Sequence, residues 1–195
     1  SPHIGCTVLA LPRPSLKRNG RLGSTASVIN VTGHKDEYLC RYLADYVEEQ
    51  RDHWAQNGLQ IVLESTLDRA PVRMDRDQFA RVLDNLLSNS WKYKTEKTGK
   101  ACFRITSSGL GRVRLELADN GSGVAPDQLD RIFESFYRTD RARSHVAAGS
   151  GLGLAVVRKI VETMKGKIWA EANEPQGLKI CMEFSLEESN QCKRS

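Results

Sequence analysis

The sequence predicts a two-layer α/β sandwich, in which a mixed β-sheet is covered by helices on one face. Short segments that alternate apolar and polar residues are typical of half-buried strands, and longer segments with an apolar residue every three or four positions are typical of helices packed on one side. Hairpin-like pairs of strands and strand–helix connections both occur along the chain. This mixture favours a mixed sheet with its helices gathered on one face.

The first half of the chain contains two clear helix patterns. Residues 1–27 carry prolines and glycines with little periodicity, which predicts a linker or N-terminal arm. The elements expected next are a short edge strand over 28–31, a helix over 36–57 that Gly58 ends, a strand over 59–64 and a helix that begins at Asp75. Gln78 lies three residues after Asp75, so the pair predicts a capping box. The apolar positions of this second helix, which predict its buried stripe, are Phe79, Val82, Leu83, Leu86 and Leu87.

The second half of the chain predicts a hairpin, a loop, a further helix and two last strands. The expected elements are strands over 101–105 and 113–117 joined by a turn at 108–111, a short helix over 127–136, a helix over 152–164 closed by Gly166, and strands over 167–171 and 178–186. Residues 139–149 are rich in Ala, Gly and Ser, and we expect them to be mobile without nucleotide. Residues 188–195 are expected to form a C-terminal tail.

Size and composition exclude several classes of protein. The 195 residues are 39% hydrophobic and 27% charged, which is typical of one soluble globular domain. The net charge of +5 comes from 29 Lys and Arg interspersed with 24 Asp and Glu, so no basic block predicts nucleic-acid binding. The five cysteines form no C-x-x-C pair, which disfavours a zinc site and favours reduced thiols. No apolar run approaches the roughly 20 residues that span a bilayer.

Three polar residues of the second helix share one stripe of its surface. At 100° per residue, Asn85, Asn89 and Lys92 line up beside the apolar stripe, so they should lie at the rim of the core. Magnesium prefers oxygen ligands, and an asparagine carbonyl such as that of Asn89 can provide one while phosphates provide others. The alternative is a set of ordinary surface residues, although asparagine is a mediocre helix former and its recurrence here needs a reason.

Two glycine-rich segments suit the two ends of a nucleotide. Asp119 ends a predicted strand, where a carboxylate can accept a hydrogen bond from the exocyclic amine of adenine, and Gly121 and Gly123 let the backbone approach a planar base. The segment 149–153 opens a helix, so it offers backbone N–H groups and the positive end of a helix dipole to phosphates. Each segment taken alone is also compatible with an ordinary turn or loop. Neither is a Walker loop or a dinucleotide fingerprint.

Three arginines precede the second glycine-rich segment. Arg138, Arg141 and Arg143 lie between Tyr137 and Gly149. Cations that reach a γ-phosphate stabilise the charge that develops during phosphoryl transfer. The alternative interpretation is a solvated basic loop.

Together these motifs resemble those of the sensor histidine kinases. Residues 85–93 (NLLSNSWKY) are similar to the N box of that family, 119–123 (DNGSG) to its G1 box, 133–138 (FESFYR) to its F box and 149–154 (GSGLGL) to its G2 box. All four occur in the order and spacing of the family, and the resemblance covers about residues 28–187. Ser90 and Trp91 depart from the small or aliphatic residues that the family often has, a departure to which the sequence assigns no consequence.

The resemblance implies the Bergerat ATP-binding fold, with ATP and Mg²⁺ as its ligands. It implies that Asp119 binds the adenine amine, that Asn89 binds Mg²⁺ and that Asn85 lies beside them. The further residues implied to contact nucleotide are Lys92, Tyr93, Gly121, Gly123, Arg138, Gly149, Gly151, Leu152, Gly153 and Leu154, and those implied to act in catalysis are Asn85, Lys92, Arg138 and Arg143. Residues 138–148 would form a lid over ATP, anchored by Phe133 and Phe136.

Asn85 separates the subfamilies. Relatives that hydrolyse ATP, such as gyrase and MutL, resemble this fold but have a catalytic glutamate where Asn85 lies. An amide cannot act as a general base. The resemblance therefore favours transfer of phosphate to a protein histidine over hydrolysis.

The resemblance also implies partners that lie outside this chain. Kinases of this family carry their phosphoacceptor histidine in an upstream helical domain, within a motif that includes a proline, and His34 lacks that context. The implied function is the catalytic ATP-binding domain of a two-component protein histidine kinase, spanning 28–187. It would work with a histidine-containing dimerisation domain and a response regulator receiver domain, in the cytoplasm, in a parent protein that can be anchored in the inner membrane. The alternatives are a nucleotide-binding module or degenerate kinase without transfer activity, and an ATP-hydrolysing relative.

Overall fold

A computed structural model of the chain describes residues 39–138 and 150–187. Its helices are α1 (Leu39–Gln56), α2 (Arg76–Lys92) and α3 (Gly153–Thr163), and its strands are β1 (Leu59–Ser65), β2 (Gly99–Ser107), β3 (Arg112–Asp119), β4 (Lys167–Ala172) and β5 (Leu178–Ser185). The strands form one sheet in the order β1-β2-β3-β5-β4. β1 and β2 are parallel and the other neighbours are antiparallel, so the predicted mixed sheet is confirmed.

The sheet has one apolar face and one polar face because its strands alternate. Inward-facing positions of β2, β3 and β5 pack in one core with apolar residues of all three helices; they include Phe103, Ile105, Leu115, Leu117, Met182 and Phe184. The opposite face carries ion pairs, among them Arg112–Glu183 at 2.6 Å and Lys179–Glu171 at 2.8 Å. The two-layer arrangement with helices on one face is therefore also confirmed.

Helix α2 begins where the sequence predicts. The Asp75 carboxylate accepts a hydrogen bond from the backbone N–H of Gln78 at 3.1 Å, which satisfies one of the free amides at the helix start. Midway along, the Tyr46 hydroxyl of α1 donates to Asp84 at 2.5 Å. Burial, together with this hydrogen bond, raises the pKa of the Tyr46 phenol well above its ordinary value. The contact joins α1 to the helix that carries Asn85.

The expected short helix over 127–136 is wrong. The chain forms two separate 3-10 turns there, Pro126–Gln128 and Arg131–Phe133. Phe133 is buried, but Phe136 is 72% exposed and has a φ of 64°, which is uncommon for a bulky residue and ends any helix. Its backbone N–H donates to the carbonyl of Gly151 at 3.1 Å. Of the two expected aromatic anchors, only Phe133 is therefore a core residue.

The other boundaries agree with the sequence to within a few residues. Glycines at 109 and 111, both with positive φ, form the hairpin turn between β2 and β3. Helix α3 ends in a left-handed residue, but this is Lys165 at φ 58°, whereas Gly166 leaves room for the ring of Phe184, which a methyl group would meet at 2.7 Å. The predicted strand over 28–31, the start of the first helix at 36–38, the loop over 139–149 and the tail lie outside the described residues.

Candidate functional site

Helix α2 places the three predicted polar residues together. Asn85, Asn89 and Lys92 are half-buried and adjoin the buried stripe of the helix, so they lie at the rim of the core as predicted. The side chains of Asn89 and Lys92 make no hydrogen bond or ion pair with any residue that the structure describes. Their oxygen and ammonium groups are therefore available to a ligand.

Asn85 is held in a fixed orientation. Its amide nitrogen donates to the carbonyl of Arg81 at 2.7 Å, one turn earlier in the helix. Its amide oxygen consequently lies on the other side, close to Gly153, where an added methyl group would meet it at 2.9 Å. Two motifs that are far apart in the sequence are thus in direct contact.

The carboxylate of Asp119 is bound by three protein donors at the end of β3. One oxygen, Oδ1, accepts from the backbone N–H of Gly121 at 2.9 Å and from that of Leu178 at 3.1 Å. The other, Oδ2, accepts from the Ser90 hydroxyl at 3.0 Å. Since β3 and β5 are antiparallel neighbours, their register brings Leu178 beside Asp119. The predicted adenine acceptor is therefore fixed in direction before any ligand binds.

Gly121 and Gly123 follow Asp119 where other backbone segments approach closely. A methyl group on Gly121 would lie 2.7 Å from the carbonyl oxygen of Tyr93, and the Ser122 N–H donates to that same oxygen at 2.8 Å. Gly123 has a φ of 67°, and a methyl group there would lie 2.9 Å from the carbonyl oxygen of Gly177. Both glycines are therefore needed for the loop conformation, which joins Asp119 to the end of α2.

The loop between β4 and β5 supports this site, and the sequence did not indicate it. Asn173 donates to the carbonyl of Asp119 at 2.8 Å, and Gln176 donates to the carbonyl of Gly121 at 3.0 Å. A methyl group on Gly177 would lie 1.8 Å from the Asp119 carbonyl oxygen. The signal available in the sequence was an Asn-x-Pro-x-Gly turn pattern, which predicts a turn but not its partner.

The second glycine-rich segment opens α3 as predicted. Gly151 has a φ of 74°, Leu152 caps the helix without a side-chain hydrogen bond, and no acidic residue lies in the first turn. The first turn of α3 therefore carries no carboxylate of its own to neutralise its free amides and the positive end of its dipole. Gly153 and Leu154 are half-buried in this turn. Such an end suits an anion such as phosphate.

The basic residues are divided between the described and undescribed parts of the chain. Arg138 is half-buried and is the last residue before the interval 139–149. Arg141, Arg143 and Gly149, which the sequence also predicts near the phosphates, lie outside the described residues. Their roles stay predictions.

A cleft of about 460 Å³ adjoins the Asp119 loop. It is lined by residues 122–125, Gln128 and 172–177. Of the predicted site residues, this lining includes Gly123 but not Asp119, Asn85, Asn89 or Lys92. The cleft therefore overlaps the predicted site only at the glycine loop.

Comparison with known proteins gives the class. A model of the histidine kinase-, DNA gyrase B- and HSP90-like ATPases matches residues 74–188, more than half of the chain. The chain belongs to this family of ATP-binding domains. A second model, a prenylated flavin chaperone LpdD-like domain, matches residues 1–55, of which the structure describes only 39–55.

Within the family, the chain is similar to sensor kinases. The sensor protein kinase WalK of Staphylococcus haemolyticus is 29% identical over 191 residues, which are 95% of this chain and 31% of WalK. The signal transduction histidine-protein kinase BaeS of Escherichia coli is 39% identical over 138 residues, which are 70% of this chain and 29% of BaeS. The chain thus spans less than a third of the length of either relative.

Solved structures agree on the fold. ShkA in complex with AMPPNP superposes with a TM-score of 0.65 at 27% identity, over 80% of this chain and 32% of ShkA. The mycobacterial sensor histidine kinase MprB superposes with a TM-score of 0.64 at 23% identity, over 80% of this chain and all of that one.

Family, relatives and geometry together define a histidine kinase ATP-binding catalytic domain. In the described part of the chain, no helix has both the length and the apolar character that crossing a membrane requires.

Proposed function

We propose that this domain binds Mg-ATP and transfers the γ-phosphate to a histidine side chain of a dimerisation domain that is not part of this chain. A histidine nitrogen would attack the γ-phosphorus, the bond from that phosphorus to the bridging oxygen would break, and ADP would leave with the electron pair. The extent that we propose for the domain is residues 28–187.

The base and the phosphates would lie at opposite ends of the site. The adenine amine would donate to Asp119, with Gly121, Gly123 and Tyr93 around the base. The phosphates would meet the first amides of α3 and the segment 149–154. Lys92, Arg138 and Arg143 would neutralise phosphate charge, which suits a reaction whose catalysis is mostly positioning and electrostatic stabilisation.

Magnesium fits this site through Asn89. Among the described residues, no group of three His, Cys, Asp or Glu side chains could hold a metal ion. We therefore infer that Mg²⁺ is held jointly by the phosphates and the Asn89 carbonyl, whose oxygen has no partner among the described residues. When bound, the ion would neutralise charge on the β- and γ-phosphates.

The orientation of Asn85 is the observation that favours transfer of phosphate to a protein over hydrolysis of ATP. Hydrolysis needs a general base beside the attacking water, and Asn85 is an amide whose nitrogen is already bound to the Arg81 carbonyl. The neighbouring carboxylate, Asp84, is hydrogen-bonded to Tyr46 of α1 instead. Neither side chain is suited to activating water, which supports transfer to a protein nucleophile over hydrolysis.

The partners follow from the same family. The histidine kinase ThkA, whose structure in complex with the response regulator protein TrrA superposes with a TM-score of 0.62, belongs to the same fold. We propose that the phosphate passes from the dimerisation-domain histidine to a response regulator receiver domain.

Labelled γ-phosphate tests this function. The chain is mixed with [γ-³²P]ATP, Mg²⁺ and the dimerisation domain of its own natural protein, and then with a variant of that domain in which the acceptor histidine is replaced. We expect label on the dimerisation domain that keeps its acceptor histidine and none on the variant. We expect little free phosphate when the chain is incubated alone. Steady phosphate release by the chain alone would favour the hydrolysing alternative, and ATP binding with no labelled acceptor would favour a module without transfer activity.

A further inference from the structure

Among the described residues, Ser90 is the one buried member of the serine, threonine, amide and charged types, with 3% of its surface exposed. It belongs to α2, next to Asn89, and its hydroxyl donates to Asp119 Oδ2 at 3.0 Å across 29 positions of sequence. A buried hydroxyl costs free energy unless it is hydrogen-bonded. The contact with Asp119 is therefore the reason that a hydroxyl is tolerated at this position of the core.

The hydrogen bonds of Asp119 leave one acceptor position open. Each carboxylate oxygen offers about two lone pairs. Both lone pairs of Oδ1 are used, by the backbone N–H groups of Gly121 and Leu178, and one lone pair of Oδ2 is used by Ser90. The remaining lone pair lies on Oδ2, beside the Ser90 hydroxyl.

We propose that Ser90 is a positioning residue that sets the selectivity of the site for an amino-purine. Its O–H holds the carboxylate plane so that the open lone pair of Oδ2 points at the exocyclic amine of the base. A base with a carbonyl at that place presents a second acceptor to Oδ2, so it gains nothing from the orientation that Ser90 gives to the carboxylate. This inference rests on the proposed role of Asp119 in reading the base.

Inosine triphosphate tests this role, because it keeps the ribose and phosphates of ATP, replaces the exocyclic amine with a carbonyl and carries a proton on the neighbouring ring nitrogen N1. The full chain and its Ser90→Ala variant are titrated with ATP and with inosine triphosphate, at the same Mg²⁺ concentration. We expect Ser90→Ala to weaken the binding of ATP by about tenfold, because the carboxylate of Asp119 is then no longer preorganised for the amine, and to leave the binding of inosine triphosphate nearly unchanged. The preference for ATP then falls by the same factor.

Two further variants make the test specific. Ser88→Ala removes a half-buried hydroxyl of the same helix that has no hydrogen bond to the described residues, and it should change neither affinity. Ser90→Thr keeps the donor and should restore the preference for ATP. Unchanged ATP affinity in Ser90→Ala, or equal losses for the two nucleotides, would overturn the inference. Absence of ATP binding by the unsubstituted chain would instead contradict the proposed function.

Discussion

The amide oxygen of Asn85 lies against Gly153, the first residue of α3, so closely that a methyl group there would come within 2.9 Å of it. The amide nitrogen is meanwhile bound to the Arg81 carbonyl. This contact joins the helix that carries Asn89 and Lys92 to the helix end that suits phosphate. The phosphate end of the site is consequently built from two packed helices that approach most closely at Gly153.

Gly153→Ala should disrupt this contact. We expect ATP affinity to fall by about tenfold, because the Asn85 side chain must move away from the phosphate end of the site. The free energy of unfolding should fall by less than the roughly 1–3 kcal/mol that overpacking typically costs, since Ala is the better helix former and offsets about 1 kcal/mol of it. Nucleotide titration and urea unfolding separate the two effects. Wild-type affinity in a folded variant would show that Asn85 has room to move.

Asp119→Asn should abolish recognition of adenine. The amide nitrogen cannot take the place of Oδ1, where two backbone N–H groups already donate, so it must take that of Oδ2 and face the base amine donor to donor. We expect ATP affinity to fall by about 100-fold, because each buried donor or acceptor that is left without a hydrogen-bond partner costs roughly 1–3 kcal/mol. A fluorescent ATP analogue measures the loss. Unchanged affinity would remove Asp119 from the base pocket.

Asn89→Ala should weaken the binding of Mg-ATP more than the binding of metal-free ATP. We expect about a tenfold loss with Mg²⁺ and little loss in excess EDTA, since the change removes an oxygen ligand of the metal and leaves the base pocket intact. Asn57→Ala, a change to an exposed asparagine just after α1, is the matched control. Equal losses with and without metal would exclude Asn89 from the metal site.

Tyr46→Phe should destabilise the fold without touching the site. We expect the free energy of unfolding to fall by about 1–2 kcal/mol, because the variant loses a hydrogen bond to a carboxylate that water can only partly replace. Tyr42→Phe, which removes a 3.0 Å hydrogen bond to the Arg76 carbonyl, is a control expected to cost less. Urea unfolding measures both. Both hydrogen bonds join α1 to α2, so a larger loss for Tyr42→Phe would contradict the greater importance that we assign to the Tyr46–Asp84 bond.

Glu183 should make stability depend on pH on the acid side. Its hydrogen bond to Arg112 lowers the pKa of this carboxyl below its ordinary value of 4.5, so the folded state binds its proton less readily than the unfolded state does. The stability that the Glu183–Arg112 pair gives the folded state is present above the ordinary pKa of the carboxyl. It is lost as the pH falls through the lowered pKa of Glu183. We therefore expect Glu183→Gln to be less stable than wild type at pH 7, with the difference shrinking toward pH 3. A stability difference that stays the same from pH 7 to pH 3 would contradict this expectation.

The sequence alone determined the types of element and the residues that mark the site. Periodicity indicates which face of a segment is buried, and it is read from residues close together in the sequence, so α2, the β2–β3 hairpin and the opening of α3 were predictable from apolar spacing and from glycine positions. The stripe of Asn85, Asn89 and Lys92 followed from helix geometry in the same way. The short helix over 127–136 failed because the exposure of Phe136 depends on its backbone hydrogen bond to Gly151, a residue beyond the loop.

Only the tertiary structure decided which atoms of the site are free to act. The acceptor positions of Asp119 are taken by donors from its own loop, from α2 and from β5, and no local pattern reveals that three segments converge on one carboxylate. Ser90 had no assigned consequence in the sequence for this reason. The contact between Asn85 and Gly153 arises likewise from the packing of two helices that are distant in sequence. Hydrogen-bond saturation and close approach depend on register and packing, which a one-dimensional pattern does not contain.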